Sequence, residues 1–204
     1  TKCLGVIGSH IGENMHNTQV QEMSECIDKG ATIIAVDPRF STAASKAQHW
    51  LAIKPATDMA LLLAWMHVLI YENLYDKEYV ELYGQGFDKL KEHVRGFTPE
   101  WAYGITTIKP EEIRKTARVM AEAAPAVIVH PGRHVTWYGD DSQRGRAVAL
   151  LNALLGSWGR RGGFYFKESL KIPSFPHPPY PEPKWGWHEI GENFPFAEMG
   201  ITNE

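Results

Sequence analysis

The chain has 204 residues, enough to bury one sizeable core. Its 44% hydrophobic and 22% charged residues are the balance of a globular domain and exclude a disordered or fibrous chain. A formal net charge of -3 excludes a broad basic surface for nucleic acid or anionic membrane.

The first forty residues organise the rest. Leu4 to Ile7 is a short apolar run, and the polar loop Gly8-Ser9-His10-Ile11-Gly12-Glu13-Asn14 follows it. Thr18 to Lys29 is long enough for a helix. Ala31 to Val36 has no polar face and ends in Asp37-Pro38-Arg39. Such a run is usual for a parallel strand covered on both faces, so the segment reads as a right-handed βαβ unit. The loop after its first strand opens beside a helix N-terminus, where backbone N–H groups suit phosphate. Asp37 at the end of the second strand can accept from a ribose hydroxyl or a guanine N–H edge. The loop is not G-x-G-x-x-G, because Gly8 and Gly12 are four apart. A plain βαβ unit with an acidic strand end fits this stretch equally well.

Residues 40–47 read as a loop with a helical turn, and His49 to Ile53 as a short strand. Lys54-Pro55-Ala56-Thr57-Asp58 turns the chain, and Thr57 or Asp58 is placed to cap a helix over Met59 to Tyr71. That helix is apolar almost all round, so burial is expected. Short helices are expected over 76–83 and 87–94, separated by Gly84-Gln85-Gly86. Thr98-Pro99 and Lys109-Pro110 each resemble a helix start with proline in the first turn. Ala126 to His130 is the clearest later strand, with Pro131-Gly132-Arg133-His134 as its carboxyl-end loop. Ser142 to Leu155 is a helix with Ala147, Leu150, Leu151, Leu154 and Leu155 on one face, and Gly156 ends it. Arg160-Arg161-Gly162-Gly163 reads as a flexible cationic loop.

Strands alternating with helices give a three-layer α/β domain with a mainly parallel sheet over residues 1–163. Residues 164–204 read as a proline- and aromatic-rich extended tail, with six prolines in residues 173–183. The two cysteines, Cys3 and Cys26, lie in expected core elements without metal-cluster spacing, so no metal ligand is assigned. No signal peptide is visible, and Ala60 to Ile70 is too short to span a bilayer. The first residues are already structural and no initiator Met precedes them, which suggests a segment of a longer polypeptide.

Four loops belong at strand ends or helix starts: 8–14, 37–41, 54–58 and 130–137. At the carboxyl edge of a parallel sheet they line one crevice. Together they offer Ser9, His10, Glu13, Asn14, Asp37, Arg39, Lys54, Thr57, Asp58, Arg133 and His134, which suits a polyanionic ligand rich in heteroatoms. Arg39 and Arg133 can each fork onto a phosphate. Plainer roles stay open. Asp58 can cap a helix, His10 can be a solvated loop residue and His134 a structural one. Arg160 and Arg161 fit a solvated turn, and Trp137-Tyr138 fits packing. No nucleophile elbow, Walker loop, H-E-x-x-H or C-x-x-C is present.

The ordered set Ile11-Gly12-Glu13-Asn14, Val36-Asp37-Pro38-Arg39, Lys54-Pro55-Ala56-Thr57-Asp58 and Leu150 to Gly163 resembles the catalytic subunit of molybdopterin oxidoreductases of the dimethyl sulfoxide reductase family. Residues 13–18 and 132–139 look most like its polysulfide, thiosulfate or arsenic oxyanion reductase branch. The resemblance covers roughly residues 3–175. It implies a Rossmann-like domain that binds bis(molybdopterin guanine dinucleotide) with molybdenum. It further implies that Gly8, Ser9, His10, Gly12, Glu13 and Asn14 approach pyrophosphate and pterin. Asp37, Pro38 and Arg39, with Pro55, Thr57 and Asp58, would line the guanosine site. Gly132, Arg133 and His134 would lie toward the metal, with Arg133 and His134 facing an oxyanion substrate. Gln143 sits in the stretch that follows.

The family's iron–sulfur cysteines and molybdenum ligand match nothing here, and its C-terminal barrel is absent from this stretch. The resemblance therefore implies an interior domain, inactive alone. Its partners would be the remainder of the subunit, an iron–sulfur electron-transfer subunit and a membrane anchor, on the periplasmic side. A cofactor-free structural subunit of a respiratory complex with the same fold is the alternative.

Overall fold

Among the described residues four short strands lie side by side, all parallel, in the order β3-β2-β1-β4. They are β1 (Cys3–Ile7), β2 (Thr32–Val36), β3 (His49–Leu51) and β4 (Val127–His130). The computed structural model describes residues 1–9, 11–13, 17–130, 132 and 141–165. Eight α-helices are described: α1 (Asn17–Asp28), α2 (Thr42–Lys46), α3 (Asp58–Tyr71), α4 (Lys77–Tyr83), α5 (Phe87–His93), α6 (Pro99–Thr106), α7 (Pro110–Ala123) and α8 (Asp141–Leu154). The expected α/β class and parallel sheet are observed. The proline-rich stretch lies outside the described residues.

Strand alternation sorts the core into two layers. Cys3, Ile7, Ile34, Val36, Val127 and Val129 face a large cluster built on α3 and supplied by α6, α7 and α8. Val6 and Ile33 face a smaller cluster made with Met23 of α1 and Ala43 of α2. β2 is therefore buried on both faces, as its unbroken apolar run requires. Helix α3 is enclosed nearly all round, and Trp65 at its middle is fully buried. The polar end of that ring is satisfied: its Nε1–H donates to Thr116 Oγ1 at 2.9 Å, and that hydroxyl donates to Glu112 O at 2.7 Å.

β4 lies at the edge of the sheet, and side chains close that edge. The Asn152 amide accepts from Val129 N at 2.9 Å and donates to Val129 O at 3.0 Å. Ser157 Oγ donates to Val127 O at 2.6 Å. Both residues are fully buried and take the hydrogen-bonding groups that a further strand would use, so among the described residues the ladder ends at β4.

Several local expectations need correction. β3 ends at Leu51 rather than Ile53, because Lys54 N already donates to Thr106 O at the end of α6, at 3.0 Å. Thr57 occupies the N-cap position of α3 without capping it; its hydroxyl donates back to Lys54 O at 2.6 Å. On α8, Val148 is buried and Leu150 is 37% exposed. At about 100° per residue, Leu150 falls on the flank of the arc holding Ala147, Val148, Leu151 and Leu154. Arg160 is not a solvated turn residue: it pairs with Asp76 Oδ2 at 2.6 Å and lies over the Tyr79 ring. Phe164 closes the turn at Gly159, stacking on Trp158 with ring centroids 4.6 Å apart.

Candidate functional site

The strand order reverses between β1 and β4, and ligands of open parallel sheets bind outside the carboxyl ends at such a reversal. Gly132, two residues past β4, meets the end of β1 there. Gly132 has φ +73°, and a Cβ on it would run into the carbonyl oxygen of Ile7 and come within 3.3 Å of that of Gly8. Only glycine allows this backbone-on-backbone approach. Gly132 N donates to His130 Nδ1 at 3.1 Å, which tightens the exit from β4. Gly8 also has positive φ, +53°, and the space its Cβ would take is open.

The end of β2 is fixed from several sides. Asp37 is buried, and its Oδ1 accepts from Arg39 N at 2.8 Å. Its own N–H donates to Leu51 O at 3.2 Å, and its carbonyl accepts from Trp50 Nε1 at 2.9 Å. The carboxylate is thus held at the carboxyl edge by its own turn. The loop after β1 is tied to the same place. Glu13 Oε1 accepts from Thr42 N, the first residue of α2, at 3.1 Å. Glu13 Oε2 accepts from Arg39 NH2 at 2.8 Å. That hydrogen bond, with the nearby negative charges of Glu13 and Asp37, holds the Arg39 guanidinium more firmly protonated than usual. Gly12 (φ +91°) lets the loop pass close to α2, since a Cβ there would come within 2.6 Å of Thr42 Cγ2.

Of the expected site residues, Gly8, Ser9, Gly12, Glu13, Asp37, Pro38 and Arg39 share this edge. Ser9 is buried, and Arg39 is largely exposed. Pro55 lies in an exposed turn, and Thr57 opens α3. Asp58 pairs with Arg144 of α8 at 3.1 Å, so it acts as a counter-ion between two helices. His10, Asn14, Arg133 and His134 lie outside the described residues. Sequence reasoning missed Thr42, Arg144 and His130 as parts of the frame. Thr42 had a readable signal, since Ser41 caps the short helix it opens. Arg144 had none, because its partner is 86 residues away.

Cys3 is a core thiol: burial pushes it up to about 12, so it stays neutral. Among the described residues no cluster of His, Cys, Asp or Glu is arranged to hold a metal ion. No helix among them is long and apolar enough to cross a membrane.

The close approach of Gly132 to the Ile7 carbonyl at the sheet reversal and the fixed acidic end of β2 are what this edge presents. The family model for molybdopterin oxidoreductases matches residues 2–176. The chain belongs to the molybdopterin oxidoreductase family. It is 37% identical over 172 residues to the thiosulfate reductase molybdopterin-containing subunit PhsA of Salmonella typhimurium, covering 84% of this chain and 23% of that protein. It is 39% identical over 131 residues to formate dehydrogenase H of Escherichia coli, covering 64% of this chain and 18% of that protein. Among solved structures, acetylene hydratase from Pelobacter acetylenicus superposes with a TM-score of 0.73 at 31% identity, over 80% of this chain and 22% of that one. The chain thus spans about a quarter of the length of the curated relatives it matches. The sequence-based family reading, within the dimethyl sulfoxide reductase group, holds.

Proposed function

We propose that this chain is the guanine-dinucleotide-binding α/β domain of a molybdenum-dependent oxidoreductase catalytic subunit. The parent would exchange electrons with a sulfur compound or a similar oxyanion, such as polysulfide, thiosulfate, tetrathionate or arsenate. The observation that carries the reading is the carboxyl edge at the β1/β4 reversal. There Gly8 and Gly132 bring bare backbone together, and Asp37 is pre-set by Arg39 N.

The residues fit a pterin nucleotide by their donor set. The loop Gly8, Ser9, Gly12 would run along the pyrophosphate. Asp37 would accept from the guanosine, with Pro38, Arg39, Pro55 and Thr57 around it. Glu13 would act through the frame, by fixing Arg39 and Thr42, and Asp58 by fixing Arg144. His10, Asn14, Arg133 and His134 complete the proposed set, with Arg133 pairing an anionic substrate and His134 delivering a proton. When bound, the molybdenum cofactor supplies the two-electron exchange; this chain binds and orients it. The thiosulfate reductase likeness over most of the chain supports the sulfur-compound class. The same reading places the parent with an iron–sulfur cluster in its N-terminal part, an iron–sulfur partner subunit and a membrane anchor, on the periplasmic side.

The test is chemical analysis of the complete purified subunit. Molybdenum and acid-releasable GMP should be present, and Asp37→Ala should lower both. Reduced viologen should be oxidised by thiosulfate, tetrathionate or arsenate, and formate should not reduce the oxidised dye. A subunit free of molybdenum and GMP would overturn the cofactor reading. Formate turnover without oxyanion turnover would overturn the substrate class. Arg133→Ala should raise the KM for the oxyanion, and unchanged kinetics would remove its role.

A further inference from the structure

Two aromatic side chains stand exposed beside the Asp37 turn. Phe40 is 65% exposed and Trp50 is 40% exposed, although both are large and apolar. They are nevertheless held in place. Their ring centroids are 4.9 Å apart at an interplanar angle of 64°, an edge-to-face pair. Trp50 lies opposite Ala35 in the ladder, and its indole reaches along β2 to donate to Asp37 O at 2.9 Å. Phe40 follows Arg39 directly. The pair is thus anchored to the same backbone that presents the Asp37 carboxylate.

Rings left in water at a fixed angle, beside a fixed carboxylate and an exposed guanidinium, suit a flat heteroaromatic ring that carries hydroxyl or N–H donors. A nucleoside offers both in one molecule. Its base has a π-face for Phe40, and its ribose or base edge has donors for Asp37. We propose that Phe40 and Trp50 form the stacking platform for the purine base of the nucleotide. Phe40 meets the base, and Trp50 sets the Phe40 ring and the Asp37 carbonyl. This rests on the reading that the crevice takes a guanine nucleotide, and it adds the residues that grip the base.

The experiment is equilibrium binding of GMP to the complete subunit, produced free of cofactor, by titration calorimetry. Ribose 5-phosphate serves as the probe without a base. Because Phe40 is mostly exposed, Phe40→Ala should melt at the wild-type temperature. It should weaken GMP roughly ten-fold, within the range of base–aromatic stacking, and leave ribose 5-phosphate unchanged. Phe40→Tyr should bind as wild type, and Trp50→Phe should fall between. GMP binding that needs Asp37 but is unchanged in Phe40→Ala would overturn the platform and leave the nucleotide reading standing. Equal loss of GMP and ribose 5-phosphate in Phe40→Ala would also overturn it, as loop disruption. No GMP binding by wild type would overturn both.

Discussion

At the scale of single residues, the proposed site is held by groups that do not themselves need to touch a ligand. Gly132 is the sharpest case. A Cβ there must displace the Ile7 carbonyl, and the φ of +73° is unfavourable for any L side chain. Gly132→Ala should cost roughly 1–3 kcal/mol, read as a lower denaturation midpoint, and should reduce retention of the proposed nucleotide as Gly132 is pushed off the Ile7 carbonyl. His49 gives a pH signature. Burial, and then the positive charge of Lys115, lower its pKa against the opposing pull of Glu112. The folded chain therefore binds that proton less readily than the unfolded chain. Its share of stability is complete above the ordinary value near 6.5 and is lost as pH falls through the lower folded value. Melting temperature should drop across this acid window, and His49→Gln should flatten that part of the profile.

At the scale of elements, the readable parts were those whose cause is local. Thr98 and Pro99 announce α6, and the hydroxyl of Thr98 does accept from Trp101 N at 3.2 Å. Thr98→Ala should lose about 1 kcal/mol in a thermal melt. The β-branched run of β2 and the apolar run of α3 were equally plain, because burial on all sides leaves no polar position to obscure the pattern. Elements set by distant partners could not be read. Nothing near Asn152 says that its amide replaces a neighbouring strand for Val129, 23 residues away. Asn152→Leu would leave a buried N–H and carbonyl unpaired. It should cost roughly 2–6 kcal/mol for the two groups together, and faster amide exchange at Val129 would show it. Unchanged exchange there would refute the edge-closing role.

At the scale of the whole molecule, the family and the layered fold were legible because motif order survives where single motifs are weak. Half of the site's frame was not. Glu13 with Arg39 and Asp58 with Arg144 are separated by 26 and 86 residues, and only the finished fold brings them together. A ligand that binds only the folded chain raises its stability by about 2.7 kcal/mol at a hundred times its Kd. GMP should therefore raise the melting temperature of the chain, and Asp37→Ala should abolish the rise.

The enclosure of α3 also has a consequence in time. The helix is finished at Tyr71, but α8, which covers one of its sides, begins only at Asp141. A ribosome adding roughly 5–20 residues per second needs several seconds to span that interval. For that long the nascent chain carries a greasy helix whose covering partner has not yet been made, so it should be a client for chaperones at the exit tunnel until the later helix emerges.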